Sequence, residues 1–305
     1  MDYELDPDQE QLHDAVNTLL SRRAGPARAR SVAAASGIDQ ELASALASGG
    51  FLDLFADDEA GPLEAELVVE WVAAAAGALP IGARCLVAPA VIGGDLPTTV
   101  TVMEEHSSSP VRFGATSEAI LVIGDSEARL VTPAPGATEP VPSLYGYPLA
   151  RVSLAGATVL GTGDPDVARR WWQVALAAEI AGTIGAAFAL TLQYHKDRKQ
   201  FDRPIGSFQA LQHRMSQLYV RQQASAWLAR EAAFHRAPAE AAAASAAYAA
   251  QAAARACVEL HQMTGAIGFT REYDLHIWSL RLQALRLEMG GVRRHSLALA
   301  GARWA

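Results

Sequence analysis

From Asp164 to the C-terminus the chain is almost continuously helix-forming, with only three short interruptions. Asp164-Pro165 reads as an N-cap followed by a proline in the first turn, opening a helix that runs to Arg198. A second begins near Ser207 and continues to about His235, where Ala237-Pro238 breaks the chain. A third extends to about Met263, Gly265 and Gly268 interrupt it, and a fourth is expected from Asp274 to about Ala300. Four long helices with three short connections describe an antiparallel bundle, in which the first and third connections lie at the same end.

Within the first bundle helix, Val174 to Leu192 reads VALAAEIAGTIGAAFALTL, long enough to cross a bilayer. It carries Glu179, however, and is built from Ala, Gly and Thr where a spanning segment uses Leu, Ile and Phe. A helix buried among other helices is the expectation. Its small residues suit a subunit interface and a plain core equally.

Ahead of the bundle the pattern differs. Residues 1–92 read as a helical unit. Asp6 is placed to cap a helix starting at Pro7, with Gln9 closing a capping box. Leu12, Val16, Leu19 and Leu20 form one apolar stripe. Further helices are expected from Asp39 to Ala47 and from Leu63 to Ala76, the last with Leu67, Trp71 and Ala74 inward. Residues 93–163 change character: TTVTVM, AILVIG, ARLVTP and ARVSLAGATVL are short β-branched runs divided by Gly, Pro and Ser. They predict a small β unit of four to six strands, and GATEPVPSLYGYP is too proline-rich to be strand throughout. The fold class is mainly α with a small β domain, in three units: 1–92, 93–163 and the four-helix bundle 164–305.

Charge and cysteine usage narrow the function classes. A net charge of −8 over 305 residues leaves no electrostatic footprint for nucleic acid. Cys85 and Cys257 stand alone, in no ligand-like spacing, so neither a zinc site nor a disulfide framework is expected. MDYELDPDQEQ has no basic and no apolar region of a signal peptide, and a cytoplasmic, membrane-free protein is the expectation.

Chemistry concentrates at two connections. Residues 198–213, RKQFDRPIGSFQALQH, gather cations, amides and aromatics around a Pro-Ile-Gly turn. Residues 262–269, QMTGAIGF, occupy the third connection at the same end. The Arg198 guanidinium offers a fork of donors suited to phosphate. Phe201 offers a flat apolar face for a ring. Gln200, Gln209 and Gln262 both donate and accept, and Gly265 permits close backbone approach. The residue types fit a phosphate-bearing aromatic ligand. They equally describe solvated cations and a glycine stop at helix ends.

The strings R-K-Q-F-x-x-P-I-G-S-F-Q-A-x-Q-H and Q-x-x-G-x-x-G-F-T-x-E-Y, about fifty residues apart, resemble the acyl-CoA dehydrogenase family. The likeness covers nearly the whole chain, from the opening helix through the α-β-α order. It implies an FAD-dependent α,β-desaturation of an acyl-CoA thioester, with FAD held across a subunit interface. On that resemblance Arg198 lies near the diphosphate of a neighbouring subunit's flavin. Gln200, Phe201 and Gln209 follow as further contacts, and Gln262 and Gly265 meet the adenosine half.

Three departures from the family pattern shape the functional expectation. The middle β unit is short and lacks the family's flavin- and thioester-holding stretches. Asp202 stands where glycine is usual, and Ala266 replaces the second glycine of a pair. The family's proton-abstracting glutamate is missing from both of its usual places, which fall on Met289, with Glu288 beside it, and on Trp172. Base placement is stringent, and a one-residue shift on a helix turns a side chain by about 100°. Glu179, in LAAEIAG, reads as a buried structural carboxylate.

Short chains of this kind resemble the base-lacking subunits of heterotetrameric α2β2 acyl-CoA dehydrogenases of actinobacterial steroid catabolism. The implied partners are an acyl-CoA substrate, a homologous subunit supplying the catalytic glutamate, and an electron acceptor protein. Two other readings stay open: a self-sufficient homotetramer with Glu288 or another relocated carboxylate as base, and a flavin-free structural or interaction subunit.

Overall fold

The computed structural model describes residues 4–35 and 37–304; Met1 to Tyr3 of the opening stretch, Ser36 and Ala305 lie outside the described residues. Helix α1 (Pro7–Arg23) begins as expected, with Asp6 accepting from the backbone of Asp8 and Gln9 and Gln9 returning a bond to the Asp6 N–H. Val16 and Leu20 on its stripe are buried. A helix not anticipated, α2 (Pro26–Ala34), follows, then α3 (Gln40–Ser48), capped by Asp39.

Helix α4 (Pro62–Ala74) is buried nearly all round; Leu67 faces inward as expected, whereas Trp71 and Ala74 are only half-buried. It is sandwiched between α1 and the bundle, so Glu66 and Glu70 are enclosed with Val68, Val69 and Val72. A π-helical turn at Ala83–Val87 leads into the short α5 (Ala88–Val91).

The β region holds seven strands, more than the runs alone indicated. A four-stranded sheet has the order β1-β3-β4-β7, formed by Val100–Glu104, Ala119–Ile123, Ala128–Thr132 and Thr158–Gly163. Its β1–β3 pair is parallel and the other pairs are antiparallel. A second, antiparallel sheet has the order β2-β6-β5: Val111–Arg112, Leu149–Val152 and Thr138–Val141. The unexpected strands, β2 and β5, are too short or too proline-containing to show a period of two. Strand β3 is apolar throughout because both of its faces are covered. Ala119, Leu121 and Ile123 join the main core, while Ile120 and Val122 pack with Met103, Val111 and Val131 in a smaller one.

Helix α6 (Pro165–Asp197) is the axis of the molecule, capped by Asp164 and packed against α4 and the other bundle helices. It is long and apolar enough to cross a membrane, yet 72% of its most apolar window is buried inside the protein. The two-stranded hairpin β8 (Lys199–Gln200) and β9 (Arg203–Pro204) leads into α7 (Gln209–Phe234) and α8 (Ala239–Thr264). The expected fourth bundle helix is in fact two, α9 (Leu275–Leu285) and α10 (Gly291–Trp304). Between them Met289, Gly290 and Gly291 have φ of 51°, 82° and 63°, a left-handed run that no continuous helix accommodates.

Candidate functional site

The third connection packs against the end of the helix that leads into the first. His195 Nε2–H, near the end of α6, donates to the Met263 carbonyl on the last turn of α8 at 3.1 Å. Tyr273 donates to the Leu190 carbonyl at 2.9 Å, and its ring lies 5.6 Å from that of Tyr194. These contacts fix the third connection against the last turns of α6.

On this frame the β8–β9 hairpin turns through Phe201 and Asp202, with φ of 55° and 63°. Two successive left-handed residues are what a type I′ hairpin requires. Aspartate tolerates that region, which explains how it replaces glycine; phenylalanine adopts it rarely and at a cost in strain. The turn holds the Phe201 ring 85% exposed, edge-on to Phe208, over which the Arg203 guanidinium lies at 4.1 Å. Arg198, Gln200, Gln209 and Gln262 are all exposed. The Arg198 guanidinium has no hydrogen-bond or ion-pair partner among the described residues, whereas Gln200 donates to the adjacent Lys199 carbonyl.

Gly265 closes α8 with φ of +64°, and a Cβ there would meet nothing within 4 Å. Gly268 is required for another reason, since a Cβ would press on Thr264 Cβ at 3.0 Å. That tight turn lets Phe269 fold back and stack on His261 at 4.6 Å while staying 74% exposed. Ala266 needs no left-handed φ and is accommodated. The outcome is an uncovered surface of amides, a free guanidinium and two aromatic faces.

A second feature lies between the β region and the bundle, a cavity of about 380 Å³. Trp172 from α6 and Met289 from the α9–α10 turn line the same cavity. The two positions where a proton-abstracting glutamate was sought are therefore neighbours in space, and neither side chain there can accept a proton. Glu288 also reaches the cavity, because it sits in a 3-10 turn and not on the helix the sequence reading assumed. It is not free. Arg112 of β2 bonds Glu288 through Nε and, at 3.4 Å, through Nη2. The same guanidinium donates through Nη1 to Glu179 Oε2 at 2.8 Å.

Burial raises the Glu288 pKa above the ordinary carboxylate value, with Arg112 opposing it. Burial also works against the Arg112 charge, but Glu179, Glu288 and Tyr147 outweigh it and hold the guanidinium protonated. Glu179 is the buried structural carboxylate the sequence indicated, also accepting from the Gly82 N–H at 3.2 Å. Arg112 itself escaped the sequence reading. Its only signal is one cation between Val111 and Phe113.

Comparisons with known proteins identify the family. Residues 171–295 match the model for "Acyl-CoA dehydrogenase, C-terminal domain". The acyl-CoA dehydrogenase IpdE2 of Mycobacterium tuberculosis is 30% identical over 290 residues, covering 90% of each chain. The chain belongs to the acyl-CoA dehydrogenase family.

Its fold agrees with that family's from end to end. A chain of the ChsE4-ChsE5 complex from Mycobacterium tuberculosis superposes with a TM-score of 0.84, covering 99% of this chain and 98% of that one at 20% identity. Butyryl-CoA dehydrogenase from Megasphaera elsdenii gives 0.77, with 99% of each chain covered at 15% identity. This acyl-CoA dehydrogenase is thus mainly α with a small β region, and its likeness to the family extends well beyond the matched C-terminal domain.

Proposed function

We propose that this chain is a subunit of an FAD-dependent acyl-CoA dehydrogenase, and that it is the half of a heterotetramer that does not carry the base. Bound FAD would supply the two-electron acceptor for desaturation of an acyl-CoA thioester between Cα and Cβ. The exposed bundle end fits the outer part of such a dinucleotide. Arg198 would engage the diphosphate, and the Phe201 ring would offer an apolar face with no cover of its own. Gln200, Gln209 and Gln262 would satisfy hydroxyl and ring-edge groups. Gly265, with open space where a Cβ would stand, would let the ligand meet the backbone.

One observation carries the assignment of the non-base role: Trp172 and Met289 face one cavity, and among the described residues every carboxylate lining it is ion-paired, Glu179 and Glu288 with Arg112 and Glu104 with Arg294. A companion subunit of the same fold would bring the glutamate, and an electron acceptor protein would take the electrons away. For the acyl group we propose a bulky polycyclic, steroid-derived one. Its support is the company of the fold, which includes a structure described as the "Tcur3481-Tcur3483 steroid ACAD G363A variant" at a TM-score of 0.76.

The test uses the chain purified alone and with candidate companions. Flavin retention and turnover on polycyclic against straight-chain acyl-CoA are expected only in the pair. In the assembled pair Arg198→Ala should weaken flavin retention about 10- to 100-fold, the range for losing a charge-assisted hydrogen bond. Tight yellow flavin with full turnover in the isolated chain refutes the heteromeric role. Unchanged flavin content after Arg198→Ala leaves the flavin-free subunit as the better reading.

A further inference from the structure

The geometry points to a second role for the cavity: we propose that Arg112 is an interdomain lock, and that in this subunit the cavity it spans is a structural junction instead of a reaction centre. This rests on the reading of the chain as the half without a base, and it assigns what the residues at that place do instead.

Four separate parts of the chain meet Arg112, and the hydrogen bonds of its guanidinium join the β region to the bundle. The guanidinium leaves β2 and bridges Glu179 of α6 to Glu288 of the α9–α10 turn. Its carbon lies 4.9 Å from the centre of the Tyr147 ring, on the 142–148 segment, and the Arg281 guanidinium of α9 lies 4.8 Å from the same ring. Arg281 in turn donates to the Gly77 carbonyl at 3.0 Å, in the N-terminal helical unit. Glu179 accepts from the Gly82 N–H, where a Cβ would stand 2.6 Å from its Oε1. No other residue could occupy position 82 without moving that carboxylate. Thr101 of β1 donates to the Arg112 carbonyl at 2.6 Å and holds the strand that carries it.

Two guanidiniums face two carboxylates, so the junction is neutral as a set and unbalanced if one member is lost. Arg281 is buried, and the Arg112 side chain is only 12% exposed. Such an arrangement tolerates replacement of the whole set far better than removal of one partner. It also holds a costly backbone. Met289, Gly290 and Gly291 are successively left-handed, and Glu288 immediately before them is the residue Arg112 pins. The two glycines adopt such angles freely, so the cost lies in Met289, which persists there only where its surroundings over-determine it. Both Glu288 oxygens receive guanidinium donors from Arg112, so neither is a free proton acceptor in the cavity. Opening it for chemistry would mean breaking the bridge that joins the β region to the bundle.

The test is made on the assembled complex. Arg112→Met strands two buried carboxylates, and the melting temperature should fall by about 6–12 °C. Hydrogen-exchange protection should drop at least about a hundredfold in residues 142–148 and 288–291, with the ends of α6 little changed. The quadruple variant Arg112→Met/Arg281→Met/Glu179→Gln/Glu288→Gln removes the charges together. It should recover most of the lost melting temperature and keep turnover within about twofold of the parent. If the single variant does not fold, the quadruple one still decides. A single variant with unchanged protection overturns the lock, and so does a quadruple variant no more stable than the single. A stable quadruple variant that has lost turnover would place the cluster in the chemistry and overturn the proposal. Flavin retention in Arg198→Ala is read separately, so failure here is distinguishable from failure of the cofactor assignment.

Discussion

Substituting Gly182 by alanine should cost this protein more than any other single methyl group added to α6. Gly182 lies where α6 crosses α4. An ideal Cβ there would fall inside contact with the Glu70 carbonyl oxygen, 2.9 Å from its carbon and 3.2 Å from the Ala74 nitrogen. All three are backbone atoms, so no side chain can swing aside. The helices must separate by about 1 Å, and a gap of that size forfeits a quarter to a half of the dispersion across it. Overpacking costs typically about 1–3 kcal/mol, and a backbone obstacle belongs at the upper end. Alanine's helix propensity returns about 1 kcal/mol. The net loss is about 2 kcal/mol, or roughly 4 °C in melting temperature for a chain of this size. Gly185, one turn along, is the control: a Cβ there would meet only the flexible Gln222 amide at 3.3 Å. Gly185→Ala should therefore be neutral or stabilising. Calorimetry of both variants reads the difference, and equal melting temperatures for Gly182→Ala and Gly185→Ala would refute the close-crossing argument.

Two further predictions concern pH. Glu66 is fully buried with neither oxygen hydrogen-bonded, and burial, reinforced by Glu70 and opposed by Arg230, raises its pKa well above the ordinary 4.5. The folded chain keeps that proton while the unfolded chain sheds it, so stability is lost as pH rises above about 4.5. Glu66→Met should gain stability relative to the parent, increasingly between pH 4 and 7, and a pH-independent difference in melting temperature would contradict this. His195 has the opposite sense: burial lowers its pKa below 6.5, against the bond to Met263. The unfolded chain binds its proton first, and stability falls as pH drops below 6.5 by up to about 1.4 kcal/mol per unit. His195→Gln keeps a donor but cannot titrate; its urea midpoint should change less between pH 7.5 and 5.5 than the parent's.

Much of this was present in local sequence, where the physics is local. Asp6, Asp164 and their following prolines dictate helix starts because a cap needs only its own next three residues. The glycines and proline between α6 and α9 dictate where the bundle reverses, and hence that residues 198–209 and 262–265 share one end. The surface of amides, guanidinium and rings is therefore legible in the sequence.

Other features needed the tertiary structure, for identifiable reasons. Helix α4 is enclosed on all sides because α1 and the bundle both cover it, and no periodicity within its own residues reports that. Gly182 and Gly185 look alike in the sequence; only the crossing of α4 makes one of them obligatory. The break at Met289 turns Glu288 off the helix on which it was expected. Arg112, 67 residues from Glu179 and 176 from Glu288, joins both through the packing of a sheet on two helices. Contacts at such separations are fixed by how the elements stack, and a linear string of residues holds no local force that would announce them.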